Sequence, residues 1–140
     1  MTLPRDPEGL KQTVLAALSV APQESDPRQA VERYRYALQL IWTRVGTVVG
    51  SDGARAILEY AARIASQVQP EAALVEVGED GPDLSKLDLQ ASGEEMAHLC
   101  RALRELYLAT FRTIVELTGE VVARPLLEEL QQHQGERETE

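Results

Sequence analysis

The chain carries one pattern twice, and this repetition limits what it can fold into more than any other feature. Sliding residues 101–130 back by 69 positions onto residues 32–61 aligns Gly50 with Gly119 and Arg35 with Arg104. It also aligns Ala54 with Ala123, Arg55 with Arg124, Leu58 with Leu127 and Glu59 with Glu128. These are six identities in 30 positions, where chance supplies about two. Apolar residues also meet apolar residues: Trp42 falls on Phe111, Val45 on Ile114, Val48 on Leu117 and Ile57 on Leu126. Each copy reads as a long helix, a glycine break and a shorter helix. Two such units bury their apolar stripes against each other, which predicts a helical bundle with internal pseudo-symmetry.

Helical periodicity fills in the rest. Asp6-Pro7-Glu8 reads as an N-cap, a first-turn proline and a first-turn acid, a helix start. Leu10, Val14, Leu15 and Leu18 follow at helical spacing, and Pro22 is expected to end that helix. Asp26-Pro27 starts a second helix to about Val49, with Val31, Tyr34, Leu38, Ile41, Val45 and Val48 on one stripe. After Gly50, Ser51 or Asp52 is expected to cap a helix with Ile57, Leu58, Ala61, Ile64, Ala65 and Val68 apolar. Ser92 and Glu95 form a capping box ahead of the stripe Met96, Leu99, Leu103, Leu106, Tyr107, Phe111, Ile114 and Leu117. The last helix carries Val121, Val122, Leu126, Leu127 and Leu130, and Pro125 is expected either to kink it or to begin it.

Residues 69–91 break the helical period. Ala73–Val77 has strand character, residues 78–82 are turn-forming, and Leu84, Leu87 and Leu89 recur in an acidic background. The expectation is an all-α fold in a single domain over residues 1–140. It comprises an N-terminal helix and two related helix–Gly–helix hairpins, with repeats at 32–66 and 101–135. An acidic, partly extended linker at 69–91 joins them, and a frayed tail follows at 134–140. With only six aromatic residues, the core must be aliphatic.

Charge narrows the function classes. The net charge is -9, yet residues 71–95 carry eight acids against one base and residues 128–140 five against one. The helical body is thus near neutral. Nucleic-acid binding calls for a basic stripe; Arg28, Arg33, Arg35 and Arg44 share a helix with Glu32 and read as a solvated face. No apolar stretch is long enough for a membrane span. The N-terminus lacks a secretory pattern, and the single cysteine, Cys100, has no partner for an internal disulfide. A cytoplasmic protein is expected, with neither nucleic-acid nor membrane partners.

Candidate chemistry is sparse. Glu95 and His98 have the Glu-x-x-His spacing that puts a carboxylate and an imidazole on one helix face. A dinuclear site needs two such pairs and further acids, and Glu129 with His133 makes a poor second pair, so no metal is expected. The run Ala97-His98-Leu99-Cys100-Arg101-Ala102 resembles the phosphorylated helix of histidine phosphotransfer domains, with a base three and a small residue four positions after the histidine. Leu103 and Glu105 depart from that pattern. Cys100 has no activating neighbour at helical spacing. The acidic loop at Glu79, Asp80 and Asp83 lacks the ligand alternation of a calcium loop. The repeat-equivalent Arg55 and Arg124 are each followed four residues on by Glu59 or Glu128, the spacing of a surface ion pair.

No catalytic residues, cofactor or metal are therefore assigned, and the protein is not expected to be an enzyme. The expected role is a protein-interaction or regulatory helical module that associates with itself as a homodimer, with room for a different protein partner. Tyr36, Leu40 and Trp42, off the main stripe, are its expected interface. Two alternatives are a small-ligand sensor with an apolar pocket between the hairpins, and a metal-binding or phosphotransfer bundle centred on His98.

Overall fold

The computed structural model describes residues 6–18, 27–87, 90 and 93–138, the side chains of Pro7 and residues 133–138 excepted. It is an all-α bundle. Its elements are α1 (Pro7–Ala16), α2 (Pro27–Val68), a 3-10 turn (Pro70–Leu74), β1 (Glu76–Gly78), β2 (Gly81–Asp83), α3 (Glu94–Thr118) and α4 (Glu120–Glu138). α1 begins as its sequence dictates: the Asp6 Oδ2 accepts from the Gly9 backbone N–H at 2.7 Å, satisfying one of the first-turn donors. The expected stops and caps at Pro22, Asp26 and Ser92 lie outside the described residues, as does Leu89. Gly93 occupies the N-cap position of α3.

Gly50 does not separate two helices by a loop. Two helical segments of α2 meet directly at a kink at Gly50, which is non-helical at φ 85° and ψ 164°. Ser51 and Asp52 are the first residues of the helical segment beyond the kink. Gly119 makes the corresponding elbow between α3 and α4, at φ 69° and ψ -159°. Both glycines occupy the positive-φ, extended-ψ region that is nearly closed to other residues. Pro125 neither begins α4 nor ends it, since α4 starts at Glu120. The carbonyl that loses its helical partner belongs to Val121, a residue 84% exposed, so water can replace the donor.

The core is aliphatic and runs through all four helices. Leu18, Leu38, Ile41, Leu58, Leu103, Leu106, Ile114, Leu126 and Leu130 are almost completely buried around Tyr34, Tyr107 and Phe111. Each such leucine contributes about 1.5–3 kcal/mol relative to exposure. The Tyr107 ring meets Phe111 edge-on at 5.3 Å and Tyr34 at 5.7 Å. Its hydroxyl donates to the Val14 carbonyl at 2.8 Å, near the C-terminus of α1, where helix carbonyls lack internal partners. One buried hydroxyl thus anchors α1 to α3.

Three stripe residues depart from their expected burial. Val48 is 62%, Leu117 68% and Val68 61% exposed. All three sit in the last turn before a break. Val121, just beyond the second elbow, is also exposed.

The acidic linker is a short hairpin in part. β1 and β2 pair antiparallel, with Val77 opposite Pro82 and Gly78 opposite Gly81. The strand starts later than its composition suggests, because Ala73 and Leu74 belong to the 3-10 turn opened by Pro70. Leu87 is buried and Leu84 packs on the core, so the linker is held down by its leucines. The Lys86 ammonium donates to the Glu76 carboxylate, and the Ser85 N–H donates to the Asp83 carboxylate at 2.9 Å. These hydrogen bonds from Ser85 hold the Asp83 carboxyl below its usual range.

Candidate functional site

The two elbows share one groove. Val49, Gly53, Ala56, Ile57 and Tyr60 of α2 form one wall, and Thr113, Glu116, Leu117 and Thr118 of α3 the other. Its volume is about 540 Å³, and Glu116 is its one charged lining residue among the described residues. Of its lining residues Val49, Leu117 and Tyr60 are exposed, and Val48 and Val121, each within two residues of an elbow glycine, are exposed as well. The Thr113 hydroxyl is satisfied by the Ala109 carbonyl at 2.8 Å, so it adds little polarity. The arrangement can hold apolar surface and offers no reacting group.

Elsewhere on the bundle an ion pair bridges two helices. The Arg44 guanidinium donates twice to the Glu129 carboxylate, at 2.8 and 2.6 Å, joining α2 to α4. These hydrogen bonds lower the Glu129 pKa and raise that of Arg44. Under the 69-residue offset, Arg44 corresponds to Thr113 and Glu129 to Tyr60. An ion pair therefore stands at one pair of positions where a threonine and a tyrosine line an open groove at the other.

Two further concavities exist among the described residues. One of about 520 Å³ lies between the second half of α2 and the hairpin, around Arg55, Arg63 and Glu76. The other, about 250 Å³, lies beneath α1, walled by the end of α2 and the middle of α3.

The candidates read from sequence are dispersed. Glu95 and His98 are both exposed on α3. Among the described residues, no three His, Cys, Asp or Glu side chains gather as a metal site. The His98 Nδ1 meets the Arg101 Nη2 at 2.9 Å. Arginine only donates, so Nδ1 is the accepting nitrogen and the neutral ring carries its proton on Nε2. A metal ion or a phosphoryl group at His98 must first break that arrangement. Cys100 is half-buried beside the core. The His133 side chain lies outside the described residues, and Glu129 is committed to Arg44.

The expected interface residues are split. Tyr36 is 36% exposed, whereas Leu40 and Trp42 are half-buried and packed on the core. Trp42 lies under β2: a Cβ built on Gly81 would come within 3.0 Å of its Cδ1. The hairpin thus packs against this indole.

The repeat-equivalent arginines also differ. Arg55 pairs with Glu59 at 2.8 Å as its spacing suggests. Arg124 instead turns back to Glu120 at 2.6 Å, leaving Glu128 exposed. An acid four residues before an arginine is the better-oriented pair, and the first turn of α4 favours an acid there. Ser51 stands at the equivalent place in α2, so Arg55 has no such choice.

Sequence reasoning missed the elbow surface. Its signal was present, since each glycine break is flanked by apolar residues that have no helix beyond them to pack on. The Arg44–Glu129 pair, 85 residues apart, had no local signal. No helix among the described residues is long and apolar enough to cross a membrane. No family model matches the chain, and neither a curated protein nor a solved structure proved significantly similar to it.

Proposed function

We propose that this chain is a non-enzymatic interaction module that associates with a second copy of itself through the elbow end of its bundle. The observation that carries this reading is the groove lined by the exposed Val49, Tyr60 and Leu117, with Val48 and Val121 also exposed within two residues of the elbow glycines. Exposed apolar residues scattered singly are ordinary, whereas a cluster marks a contact surface. A symmetric dimer needs one patch that holds both the protrusion and the recess that receives it. Leu117 is exposed on the wall that faces Ile57 and Tyr60, which supports a second copy as the occupant. Glu116, the groove's one charge, offers little to steer an oppositely charged partner. The surface thus lies at the elbows rather than on the Tyr36–Trp42 face, where the hairpin already packs against the indole.

Leu117→Glu and Val121→Glu test this. Each should move sedimentation toward the monomer and keep the helical circular dichroism, because neither side chain is part of the core. Tyr36→Glu should leave the association unchanged. A dimer lost in Tyr36→Glu and retained in the elbow variants would contradict the assignment.

A second reading, binding of a small molecule, is favoured by the cavity beneath α1.

A further inference from the structure

The cavity beneath α1 is apolar where it is deep and charged at its rim. Val14, Ala65 and Ala109 are buried in its walls, and Leu10, Ile64 and Leu108 are partly buried. Its volume of about 250 Å³ equals roughly eight waters at ~30 Å³ each, smaller than a drug-sized pocket. Four charged residues also line it: Glu8, Lys11, Glu105 and Arg112.

These four charges are not equally committed. Glu105 lies 4.0 Å from Arg104. Glu8 sits in the first turn of α1, where the helix N-terminus already favours a negative charge. Lys11 and Arg112 have no ion-pair partner among the described residues. They come from different helices and border the same apolar space. A guanidinium is suited to bidentate recognition of a carboxylate, and an ammonium adds a second donor.

We propose that this cavity binds a small carboxylate with an apolar body of roughly eight heavy atoms or fewer. The carboxylate lies between Arg112 and Lys11, and the hydrocarbon lies against Ile64 and Leu108. This inference rests on the small-molecule reading above and is independent of self-association.

The test is a titration of the full chain, followed by methyl chemical shifts of Ile64 and Leu108. The probes are hexanoate, hexanol and hexylamine. Hexanoate should shift these methyls saturably. Arg112→Gln should weaken it about tenfold or more and Lys11→Gln less, as expected for losing a charge-assisted contact. Both residues lie at the rim, and Arg112 is exposed, so the variants should keep the wild-type melting temperature. If hexylamine or hexanol binds there as well as hexanoate does, the carboxylate assignment falls while a binding cavity stands. Hexanoate binding that Arg112→Gln leaves unchanged also overturns it. If no probe moves these methyls at millimolar concentration, the assignment and the small-molecule reading fall together.

Discussion

Arg44 and Glu129 face each other across the bundle through two parallel hydrogen bonds, at 2.8 and 2.6 Å. They fix the second helix to the last one. Their counterparts under the 69-residue offset, Thr113 and Tyr60, both line the open groove. The bundle is therefore latched at one of these pairs and open at the other, and the two elbow glycines sit in similar backbone conformations.

The latch has a pH signature. Hydrogen bonding from Arg44 holds the Glu129 carboxyl below the usual carboxylate range. A carboxyl with a depressed folded pKa contributes stability above its unfolded pKa, about 4.3 for glutamate. That contribution disappears as the pH falls through the folded value. Wild type should thus melt above Glu129→Gln at neutral pH, by a small margin because the pair is solvated. The margin should vanish in acid and shrink in high salt. A margin unchanged from pH 7 to strongly acidic solution would contradict the latch.

The elbows should resist any side chain. A Cβ at Gly50 or Gly119 meets nothing within 4 Å, so space is not the constraint. The constraint is the backbone, and forcing alanine into that region costs of order 1–3 kcal/mol. Gly50→Ala and Gly119→Ala should each lower stability by about that amount in urea unfolding. A neutral result at either elbow would show that the helices join there in some other conformation.

Tyr107 should behave as a buried anchor. Tyr107→Phe removes the hydrogen bond to the Val14 carbonyl and is expected to cost about 1–3 kcal/mol. Amide exchange in α1 should accelerate more than in α3. Burial pushes the Tyr107 phenol well above its ordinary value, so the folded state keeps its proton where the unfolded chain would lose it. Stability should accordingly fall as the pH rises through about 10. Ultraviolet titration should show Tyr107 ionising only on unfolding; early ionisation of all four tyrosines would contradict this.

The sole tryptophan should report on the hairpin. Gly81→Ala places a Cβ against the Trp42 ring at a φ of 116°, so β2 must shift away. Tryptophan emission should move to longer wavelength as water reaches the indole. Unchanged emission would mean the hairpin does not rest on Trp42.

Periodicity made the four helices legible, because burying an amphipathic stripe requires matching spacing throughout a helix. Val31, Tyr34, Leu38, Ile41 and Val45 are buried as their spacing implies. Val48 and Leu117 are not, because periodicity records which face a residue shares and not how far the neighbouring helix extends. The same limitation hid the elbow surface. Trp42 was read as unpartnered because strands of three residues leave too weak a pattern to place over a helix. Arg124 turned to Glu120 because two acids were within reach, and the choice depended on a helix start at Glu120 that Pro125 obscured.

Self-association through the elbow end is tested most directly by native mass spectrometry of the wild-type protein, sprayed from tens of micromolar. The expected result is a dominant species at twice the 15.5 kDa chain mass, converted to single chains by Leu117→Glu. A wild-type protein found only as single chains at that concentration would contradict the account.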